Sequence, residues 1–532
     1  MARSYDEAVR AFRWNLPARF NMGVACTDAH ATGAGKPALI FVEESGAVIR
    51  YTFEDLARLT NRFANVLVAA GLQRGDRVAV FLPQAPETAI AHLAAFKAGM
   101  ISVPLFTLFG DEALEYRLEA SGAKVLVTDL AGLAKLDRVR DHLPALTHVY
   151  VIGPDSGGAL SFDAALEKGS DRFTPVDTTP DDPGIIIFTS GTTGNPKGAL
   201  HGHRVLLGHL PCLQFVHEDM PQPGDLHWTP ADWAWIGGLF DVLFPTLHLG
   251  VPVLAYRAKK FDPDAAMALM ANQGVRNVFL PPTALKLLRQ ADVRQEGLKL
   301  RSLLTGGETL GSELGAFVQE RLGVEAREIY GQTECNLVVG SNSSFFPIRP
   351  GAMGKPIPGH DVQIVDEEGH PVPAGTEGHI GIRRGDPVMM LEYWNNPAAT
   401  AAKFAGDFLL TGDLGRQDED GYLWYVSRSD DVITSAGYRI GPGEIEDCIL
   451  KHPAVALVGV VGVPDPVRTE AVKAWVVLKP GVEGTEELAT EIQRHVRERL
   501  SAHEYPRAVA FTDALPMTAT GKILRRELRA RG

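Results

Sequence analysis

The stretch TSGTTGNPKG at residues 189–198 is the most informative part of the chain, because it follows directly on the apolar run GIIIF at 184–188. That run predicts a buried strand, since unbroken β-branched and aromatic residues favour strands with both faces covered. Glycines let backbone N–H groups approach an anion closely, hydroxyls add donors, and Lys197 adds a positive charge. The stretch therefore predicts a polyphosphate-binding loop, although its composition by itself equally fits a solvated turn.

Spacing excludes the best-known rival phosphate loop. A Walker A loop needs two glycines five positions apart, followed by Lys and then Ser or Thr. Here the lysine of the stretch is followed by glycine, and the Gly-Lys steps at 35–36 and 521–522 are followed by Pro and Ile. None of these segments is a Walker A loop.

The composition restricts the classes of protein that fit. At 532 residues the chain is too long for one hydrophobic core, so two or more domains are expected. The net charge of −13 argues against nucleic acid as a partner. Four widely spaced cysteines fit reduced thiols, and neither a secretory signal nor a membrane span is expected. These features predict a cytoplasmic protein and leave its oligomeric state open, with a homo-oligomer among the options.

Apolar runs that alternate with amphipathic segments predict an α/β fold. Residues 52–68 predict a helix that begins with a capping box of Thr52 and Asp55. Unbroken apolar strands separated by helices favour mostly parallel sheets covered on both faces. Ligands bind at the carboxyl ends of such strands, where 189–198 is expected to lie. The apolar runs that predict further strands lie at 77–82, 124–129, 148–153, 251–256 and 277–282.

The character of the sequence changes near residue 430. The charged, glycine-containing stretch 427–446 precedes a segment with alternating helix and strand patterns. About a hundred residues suffice for a small α+β domain. We therefore expect a large N-terminal domain at 1–429 and a small, mobile C-terminal domain at 430–532, with a hinge at Asp430.

Four more segments carry residue types that suit nucleotide chemistry. YGQTE at 330–334 places a hydroxyl beside a carboxylate, and TGD at 411–413 offers a second acid. The stretch 427–440 supplies two arginines, and PMTATGKILRREL at 516–528 contains one lysine. Each pattern, taken alone, is common enough to be a turn, a helix cap or a solvated charge. The order of all five segments along one chain is far more specific.

Together the five segments resemble the adenylate-forming superfamily of acyl-CoA synthetases, firefly-luciferase-type enzymes and peptide-synthetase adenylation domains. The resemblance covers nearly the whole chain, and ADWAW at 231–235 with HPAVALVGVVGVPD at 452–465 is most similar to acetyl- and medium-chain acyl-CoA synthetases. It implies a two-step ligase that uses ATP, Mg²⁺ and coenzyme A and passes through an acyl-adenylate. A nucleotide-binding relative without ligase activity is the alternative from another class, although every charged motif residue is present.

The resemblance also implies roles for individual residues. It makes Lys197, Thr333, Arg439 and Lys522 catalytic residues, with Lys522 needed in the first step only, and it puts Glu334 near Mg²⁺. Rotation about Asp430 is then expected to replace Lys522 with the segment that carries Arg439. The expected nucleotide-binding residues are Thr189, Ser190, Gly191, Thr192, Thr193, Gly194, Gly307, Glu308, Thr309, Tyr330, Gly331, Gln332, Asp413 and Arg428.

The surroundings of Lys522 resemble a site of regulatory lysine acetylation in this superfamily. Acetylation removes the positive charge that the first step is expected to need. A lysine acetyltransferase is therefore an expected partner.

The acyl pocket is expected to be lined by Trp235, Ile236, Gly237, Gly306 and Gly331. Acetyl-CoA synthetases resemble this chain but carry a tryptophan at the position of Gly331. Three glycines are expected to leave room for methylenes, so the predicted substrate is a linear, branched or cyclic acid of roughly three to eight carbons. An aryl acid such as benzoate is the alternative, because a flat ring also suits a glycine-lined slot.

Overall fold

The structure is a computed structural model that describes residues 4–532 except 154–155, 190–194, 258–259, 309, 430, 436–437, 466–467, 501–504 and 519–521. The side chains of residues 312, 434, 438, 439 and 444 are also outside the description. The described residues form two compact units. The first contains the described residues of 4–361 and 384–402, and the second contains those of 362–383 and 403–532. Asp430, the expected boundary and hinge, lies outside the described residues, so the division at that residue stays a prediction.

The strands are numbered along the described part of the chain. They are β1 (Pro37–Val42), β2 (Val48–Thr52), β3 (Arg77–Phe81), β4 (Ile101–Pro104), β5 (Val125–Thr128), β6 (His148–Val151), β7 (Leu160–Ser161), β8 (Pro183–Thr189), β9 (Lys197–Gly202), β10 (His227–Trp228), β11 (Val253–Tyr256), β12 (Asn277–Phe279), β13 (Ser302–Gly306), β14 (Ala326–Gln332), β15 (Cys335–Gly340), β16 (Ala352–Pro356), β17 (Val362–Val365), β18 (Glu377–Arg383), β19 (Glu392–Tyr393), β20 (Phe404–Ala405), β21 (Phe408–Gln417), β22 (Leu423–Arg428), β23 (Ile433–Ser435), β24 (Tyr438–Ile440), β25 (Val455–Asp465), β26 (Thr469–Leu478) and β27 (Ala508–Phe511).

The α-helices are numbered in the same way. They are α1 (Tyr5–Ala11), α2 (Met22–Cys26), α3 (Phe53–Ala69), α4 (Pro86–Lys97), α5 (Asp111–Ser121), α6 (Leu130–Leu136), α7 (Phe162–Lys168), α8 (Arg204–Val216), α9 (Phe244–His248), α10 (Pro263–Gln273), α11 (Pro282–Ala291), α12 (Ser312–Leu322), α13 (Pro397–Ala401), α14 (Pro442–Leu450), α15 (Glu486–Arg499) and α16 (Arg525–Ala530). A π-helical segment, Gly237–Leu243, runs directly into α9.

The first unit contains two mostly parallel sheets. One has the order β2-β1-β11-β10-β12-β13-β14-β15-β16 and is parallel from β1 to β14, with antiparallel strands at both ends. The other has the order β19-β9-β8-β4-β3-β5-β6-β7 and is parallel from β8 to β7. The predicted α/β class with mostly parallel sheets is confirmed.

Helices pack on these sheets through separate apolar cores. The residues of α10, α11 and α12 pack with β12 and β13 around Met270 and Leu303. In the other sheet, α5 and α6 pack with β3, β4 and β5 around Leu118 and Leu126. Helix α3 begins with the expected capping box, in which Thr52 and Asp55 exchange hydrogen bonds. None of the described helices combines the length and the apolarity that a membrane crossing requires.

The second unit contains two further sheets. An antiparallel sheet, β17-β18-β21-β22 with β20 beside β21, covers residues 362–428 and was not predicted from the sequence. The C-terminal sheet has the order β24-β23-β26-β25, with β27 parallel to β26. Helices α14 and α15 pack on this sheet around Ile445 and Ile492, which gives the expected α+β segment.

A buried ion pair fixes the inner helix α4 of the first unit. The Lys97 side chain is fully buried, and its Nζ lies 2.6 Å from Asp28 Oδ2. The same Nζ donates to Asn61 Oδ1 at 2.8 Å and to the Ala57 carbonyl at 3.3 Å. Burial lowers the pKa of Lys97, and the Asp28 carboxylate opposes that shift. The ammonium therefore depends on Asp28 to remain charged inside the protein.

We expect Asp28→Asn to destabilise the first unit, because it leaves the Lys97 ammonium buried without its counter-charge. The expected cost is about 2–4 kcal/mol, measured as a lower midpoint of urea unfolding. A second change, Lys97→Met, should restore much of that loss by replacing the charge with apolar volume.

Asp177→Asn is the matched control, because Asp177 forms an exposed pair with Arg19 at 3.4 Å. Exposed pairs contribute little to stability, so its unfolding midpoint should stay close to that of the wild type. Equal effects of the two substitutions would contradict the role given to Asp28.

Candidate active site

The two ends of the glycine-rich stretch lie side by side in the first unit. Strands β8 and β9 are antiparallel, with Thr189 opposite Lys197, and Thr189 Oγ1 lies 3.4 Å from the Lys197 carbonyl. Among the described residues of the stretch, the hairpin therefore brings the hydroxyl residue Thr189 and the cationic residue Lys197 to the same end of the sheet. The five other predicted residues, Ser190, Gly191, Thr192, Thr193 and Gly194, lie outside the described residues.

The YGQTE motif forms a second hairpin in the same unit. Tyr330, Gly331 and Gln332 end β14, Thr333 and Glu334 make the turn, and the chain returns as β15. Gln332 pairs with Cys335 across the turn, with a register shift between Tyr330 and Gln332. The motif thus places the partly buried Thr333 and the buried Glu334 at the point where the parallel sheet gives way to an antiparallel strand.

One tyrosine connects the two hairpins. The Tyr393 hydroxyl donates to Glu334 Oε1 at 2.5 Å, and Lys197 Nζ lies 5.5 Å from the centre of the Tyr393 ring. A carboxylate bound in this way keeps further lone pairs for other partners. The predicted cation and the predicted metal-binding carboxylate are therefore held on two parts of one side chain.

A buried histidine holds the backbone of the same turn. His201 Nε2 lies 2.8 Å from the Thr333 carbonyl, so this nitrogen carries the proton and donates. Burial lowers the pKa of His201 to about 4, with opposing effects from the Thr333 carbonyl and Glu334. The imidazole is therefore neutral at physiological pH and acts as a support for the turn.

The other predicted nucleotide residues of the first unit lie after β13. Gly307 has a φ of 92°, and a side chain there would meet no atom within 4 Å. The Glu308 carboxylate is held by Thr283 Oγ1 at 2.8 Å and by Lys286 Nζ at 3.0 Å. Thr309 lies outside the described residues.

In the second unit, Asp413 and Arg428 face each other on neighbouring antiparallel strands. They are paired in register between β21 and β22, and Arg428 Nη1 lies 3.0 Å from Asp413 Oδ1. The carboxylate is largely buried and the guanidinium partly exposed. The structure thus brings together these two residues, which the sequence separates by a strand and a turn.

Lys522 is exposed in the second unit. Its backbone N–H donates to Thr518 Oγ1 at 3.0 Å, and its carbonyl accepts from the Thr518 N–H at 2.7 Å. The helix that follows is anchored by Arg525, which contacts Glu446 at 2.6 Å and Asp431 at 3.3 Å. Arg439 lies on β24, and its side chain is outside the description.

Whether the three glycines open the acyl pocket stays a prediction, and the structure shows only what a Cβ added at each of them would meet. A Cβ at Gly331 would lie 2.2 Å from the Leu337 nitrogen, and one at Gly306 would lie 2.5 Å from Ile329 Cγ1. At Gly237 the added atom would come within 3.0 Å of Phe279 Cε1. In the direction of a Cβ, each of the three glycines is thus packed against neighbouring atoms, chiefly backbone at Gly331.

Aromatic rings surround the predicted pocket residue Trp235. Its indole is partly buried and packs against Phe106 and Phe109, with ring centres 5.3 and 6.1 Å away. Ile236, the next residue, is buried and precedes the π-helical segment. Short π-helical segments occur often at functional sites. The predicted pocket residue Trp235 thus belongs to an aromatic cluster with Phe106 and Phe109.

The π-helical segment carries a buried acid that the sequence analysis missed. Asp241 is 2% exposed, and its Oδ1 accepts from Asn336 Nδ2 at 2.6 Å. The same amide nitrogen lies 3.0 Å from His209 Nε2. Desolvation raises the pKa of Asp241 to about 8, against the opposing hydrogen bond from Asn336. Its signal in the sequence is one acid within the apolar run GGLFDVLFPTL at 237–247.

The predicted metal ligand can be tested against the chemistry of its surroundings. Among the residues that the structure describes, no group of three or more His, Cys, Asp and Glu side chains could hold a metal ion. Mg²⁺ commonly binds through one or two carboxylates together with substrate phosphates. A single carboxylate at Glu334, supported by Tyr393, fits that mode of binding.

The chain belongs to the AMP-binding enzyme family: the sequence model of that family matches residues 27–394, and the model of the AMP-binding enzyme C-terminal domain matches residues 444–522. The predicted superfamily and enzyme class are confirmed.

Relatives with known names extend this result. The chain is 37% identical to the mitochondrial acyl-coenzyme A synthetase ACSM4 of Rattus norvegicus, over 98% of this chain and 92% of the relative. It is 34% identical to the acetyl-coenzyme A synthetase of Bacillus subtilis (strain 168), over 99% and 95% of the two chains. The predicted co-substrates ATP, Mg²⁺ and coenzyme A agree with this class of enzyme.

Solved structures give the same picture. A Brucella canis acyl-CoA synthetase is similar with a TM-score of 0.76 and 35% identity, over 99% of this chain and 98% of that one. The anthranilate CoA ligase AuaEII in complex with anthranoyl-AMP has a TM-score of 0.87 and 28% identity, over 97% and 98% of the chains.

Asp241→Asn should flatten the pH dependence of stability. An unfolded aspartate has a pKa of about 3.9, so between that pH and about 8 the folded chain holds a proton that the unfolded chain lacks. Stability therefore falls as the pH rises through this window. Asparagine keeps the acceptor for Asn336 but cannot ionise. The stability of the variant relative to the wild type should therefore increase as the pH rises.

The measurement is the thermal midpoint of both proteins at pH 5.5 and pH 8. Between the two pH values, the fall in the thermal midpoint of the variant should be smaller than that of the wild type, and the difference should be about 1–4 °C. Asp171→Asn, at an exposed site, is the control and should follow the wild type. Parallel curves for wild type and Asp241→Asn would contradict the assignment of a protonated Asp241.

Proposed function

We propose that the protein is an ATP-dependent acid–thiol ligase that converts a short- to medium-chain monocarboxylic acid of roughly three to eight carbons into its acyl-CoA. The observation that carries the proposal is the contact of Tyr393 with both Lys197 and Glu334. It unites a cation suited to phosphate with a carboxylate suited to Mg²⁺. The names of the similar acyl- and acetyl-CoA synthetases support the choice of acid and thiol as substrates.

In the proposed first step, an oxygen of the substrate carboxylate forms a bond to the α-phosphorus of ATP, and the bond to pyrophosphate breaks. Lys197 and the hydroxyls of 189–193 bind the β- and γ-phosphates, and Thr333 donates to the α-phosphate. Mg²⁺, when bound at Glu334, neutralises phosphate charge. Two anions must approach each other, so cations at the point of charge development lower the barrier.

Roles in nucleoside binding are proposed for residues of each unit separately. Gly307, Glu308 and Thr309 border the adenine, together with the strand end at 330–332. Asp413 accepts hydrogen bonds from the ribose hydroxyls, and Arg428 orients that carboxylate through their ion pair. A carboxylate that accepts from ribose is a common nucleotide contact.

In the proposed second step, the sulfur of coenzyme A forms a bond to the acyl carbon, the thiol proton leaves to water, and the bond to AMP breaks. Lys522 serves the first step only, and rotation about Asp430 then brings Arg439 to the phosphate of AMP. The exposed position of Lys522 suits both this exchange and the proposed acetylation.

An aryl acid is the second candidate substrate. A specific observation favours it: the anthranilate CoA ligase is similar over nearly the whole chain with a TM-score of 0.87. The aromatic cluster of Trp235, Phe106 and Phe109 offers rings on which a flat acyl group could pack.

A cytoplasmic location stays a prediction, since the ACSM4 relative is named as mitochondrial.

The test is AMP release that depends on both ATP and coenzyme A, measured with acetate, propionate, butyrate, isobutyrate, hexanoate, octanoate and benzoate. We expect the highest kcat/KM between propionate and octanoate. A maximum at benzoate would favour the aryl alternative, and a maximum at acetate would contradict the proposed chain length. No AMP release and no ATP–pyrophosphate exchange with any acid would favour the non-catalytic alternative.

Lys522→Ala should separate the two half-reactions. We expect a loss of about 10²–10³-fold in acyl-adenylate formation, because a charge is removed where the transition state needs it. Thioester formation from supplied acyl-adenylate should stay near the wild-type rate. Lys479→Ala, which removes another exposed lysine of the same unit, is the control. A comparable loss in the second half-reaction would contradict a role confined to the first.

A further inference from the structure

Residues 389–394 of the first unit form a segment that is bonded to both hairpins of the candidate site. Strand β19 pairs with β9, with Tyr393 opposite Ala199, and the Trp394 N–H donates to the Gly198 carbonyl at 2.7 Å. The Met390 N–H donates to the Glu334 carbonyl at 2.8 Å. The segment therefore fixes the distance between the backbone of the glycine-rich hairpin and that of the YGQTE hairpin.

The Tyr393 side chain also connects the two hairpins, because it contacts both the Glu334 carboxylate and the Lys197 ammonium. It is 3% exposed, its hydroxyl binds Glu334 Oε1, and its ring lies beside Lys197 Nζ. A phenol combines a ring face that attracts a cation with a hydroxyl that donates to a carboxylate. Phenylalanine would supply the first contact without the second, and leucine neither. The two contacts can therefore be separated by substitution.

Glutamate and lysine both have long, flexible side chains that lose rotational freedom when they bind a ligand. Partners that fix their orientation beforehand reduce this loss and increase affinity. The carboxylate of Glu334 has one oxygen bound to Tyr393 and retains lone pairs for a cation. The arrangement suits a pair of groups that must meet MgATP at a fixed separation.

We propose that Tyr393 is a positioning residue for MgATP, which orients the Glu334 carboxylate through its hydroxyl and the Lys197 ammonium through its ring. The inference rests on the proposed function, because that function assigns Mg²⁺ to Glu334 and phosphate to Lys197. It goes further in assigning a role to a residue outside the five motifs. Tyr393 itself touches neither substrate nor metal in this account.

The decisive variant is Tyr393→Phe, examined by ATP binding in a titration of Mg²⁺, without turnover. We expect the half-saturating Mg²⁺ concentration to rise by about 3–10-fold, at the low end of effects of residues that orient a metal ligand. ATP binding in the presence of EDTA should be nearly unchanged, because the ring contact with Lys197 remains. Tyr393→Leu should weaken ATP binding under both conditions, because it loses the ring as well.

A double-mutant cycle with Glu334→Gln tests whether the hydroxyl acts through that carboxylate. The rise in the half-saturating Mg²⁺ concentration caused by Tyr393→Phe should largely vanish when Glu334 is already changed, since the effects of residues that act together are not additive. Tyr150→Phe is the matched control, because Tyr150 is buried in β6 of the same unit and packs against Phe63. It should leave the Mg²⁺ titration unchanged.

The outcomes separate this inference from the proposed function. A half-saturating Mg²⁺ concentration that is the same in Tyr393→Phe as in the wild type would overturn the inference, whether or not the wild-type protein proves to be a ligase. Equal weakening of ATP binding with and without Mg²⁺, accompanied by a lower thermal midpoint, would also overturn it, because that result marks a packing role. A wild-type protein that binds MgATP but converts no acid would overturn the proposed ligase function and leave the positioning role supported by its own titration.

Discussion

The close approach of β14 to β15 at Gly331 is the constraint on which the candidate site depends. The position of a Cβ at this residue lies 2.2 Å from the Leu337 nitrogen, so only glycine fits this backbone. Leu337 has a φ of 59°, an unfavourable region for a branched side chain, which the surrounding pairing has to maintain. The tight hairpin makes Thr333 and Glu334 the turn residues. A looser return of the chain would weaken the contacts of this turn with His201 and Tyr393.

Contacts between sequence-distant residues then transmit this geometry to the glycine-rich hairpin. His201 on β9 holds the Thr333 carbonyl, and Tyr393 on β19 holds the Glu334 carboxylate. A neutral imidazole is suited to the first contact, because a buried charge beside the turn would require its own counter-ion. The same strand β9 begins at Lys197, so one element carries both a support and a predicted ligand-binding residue. The site is thus organised by strands that start or end within a few residues of one another.

The sequence predicts those parts of the fold that depend on local pattern. Strand β3 follows from the unbroken apolar run at 77–82, and helix α3 from its capping box and its apolar stripe. The antiparallel sheet at 362–428 was missed, because glycines and charged residues interrupt the apolar pattern of strands such as β18 and β21. Tyr393 and Asp241 were missed for another reason: their partners Glu334 and Asn336 are 59 and 95 positions away in the sequence.

The prediction about the three glycines is limited in a similar way, since a sequence tells where a side chain is absent but not which atoms lie beside that position. At Gly331 it is the backbone of β15, and at Gly306 the side chain of Ile329. A tryptophan at position 331 would therefore require a different hairpin, so a comparison of single residues cannot give the size of the acyl pocket. Pocket size depends on how the whole turn is built.

The buried acid beside Gly237 bears on the same question through charge. Asp241 Oδ2 lies 3.2 Å from where a Cβ of Gly237 would stand, so its protonation state determines the field at that position. The proposed reaction already joins two anions, and if Gly237 lines the acyl pocket as predicted, a third negative charge there would oppose the approach of the acid. Burial raises the pKa of Asp241 to about 8 and thus favours the neutral carboxylic acid. In its neutral form this buried polar group does not add to the repulsion between the two anions of the proposed reaction.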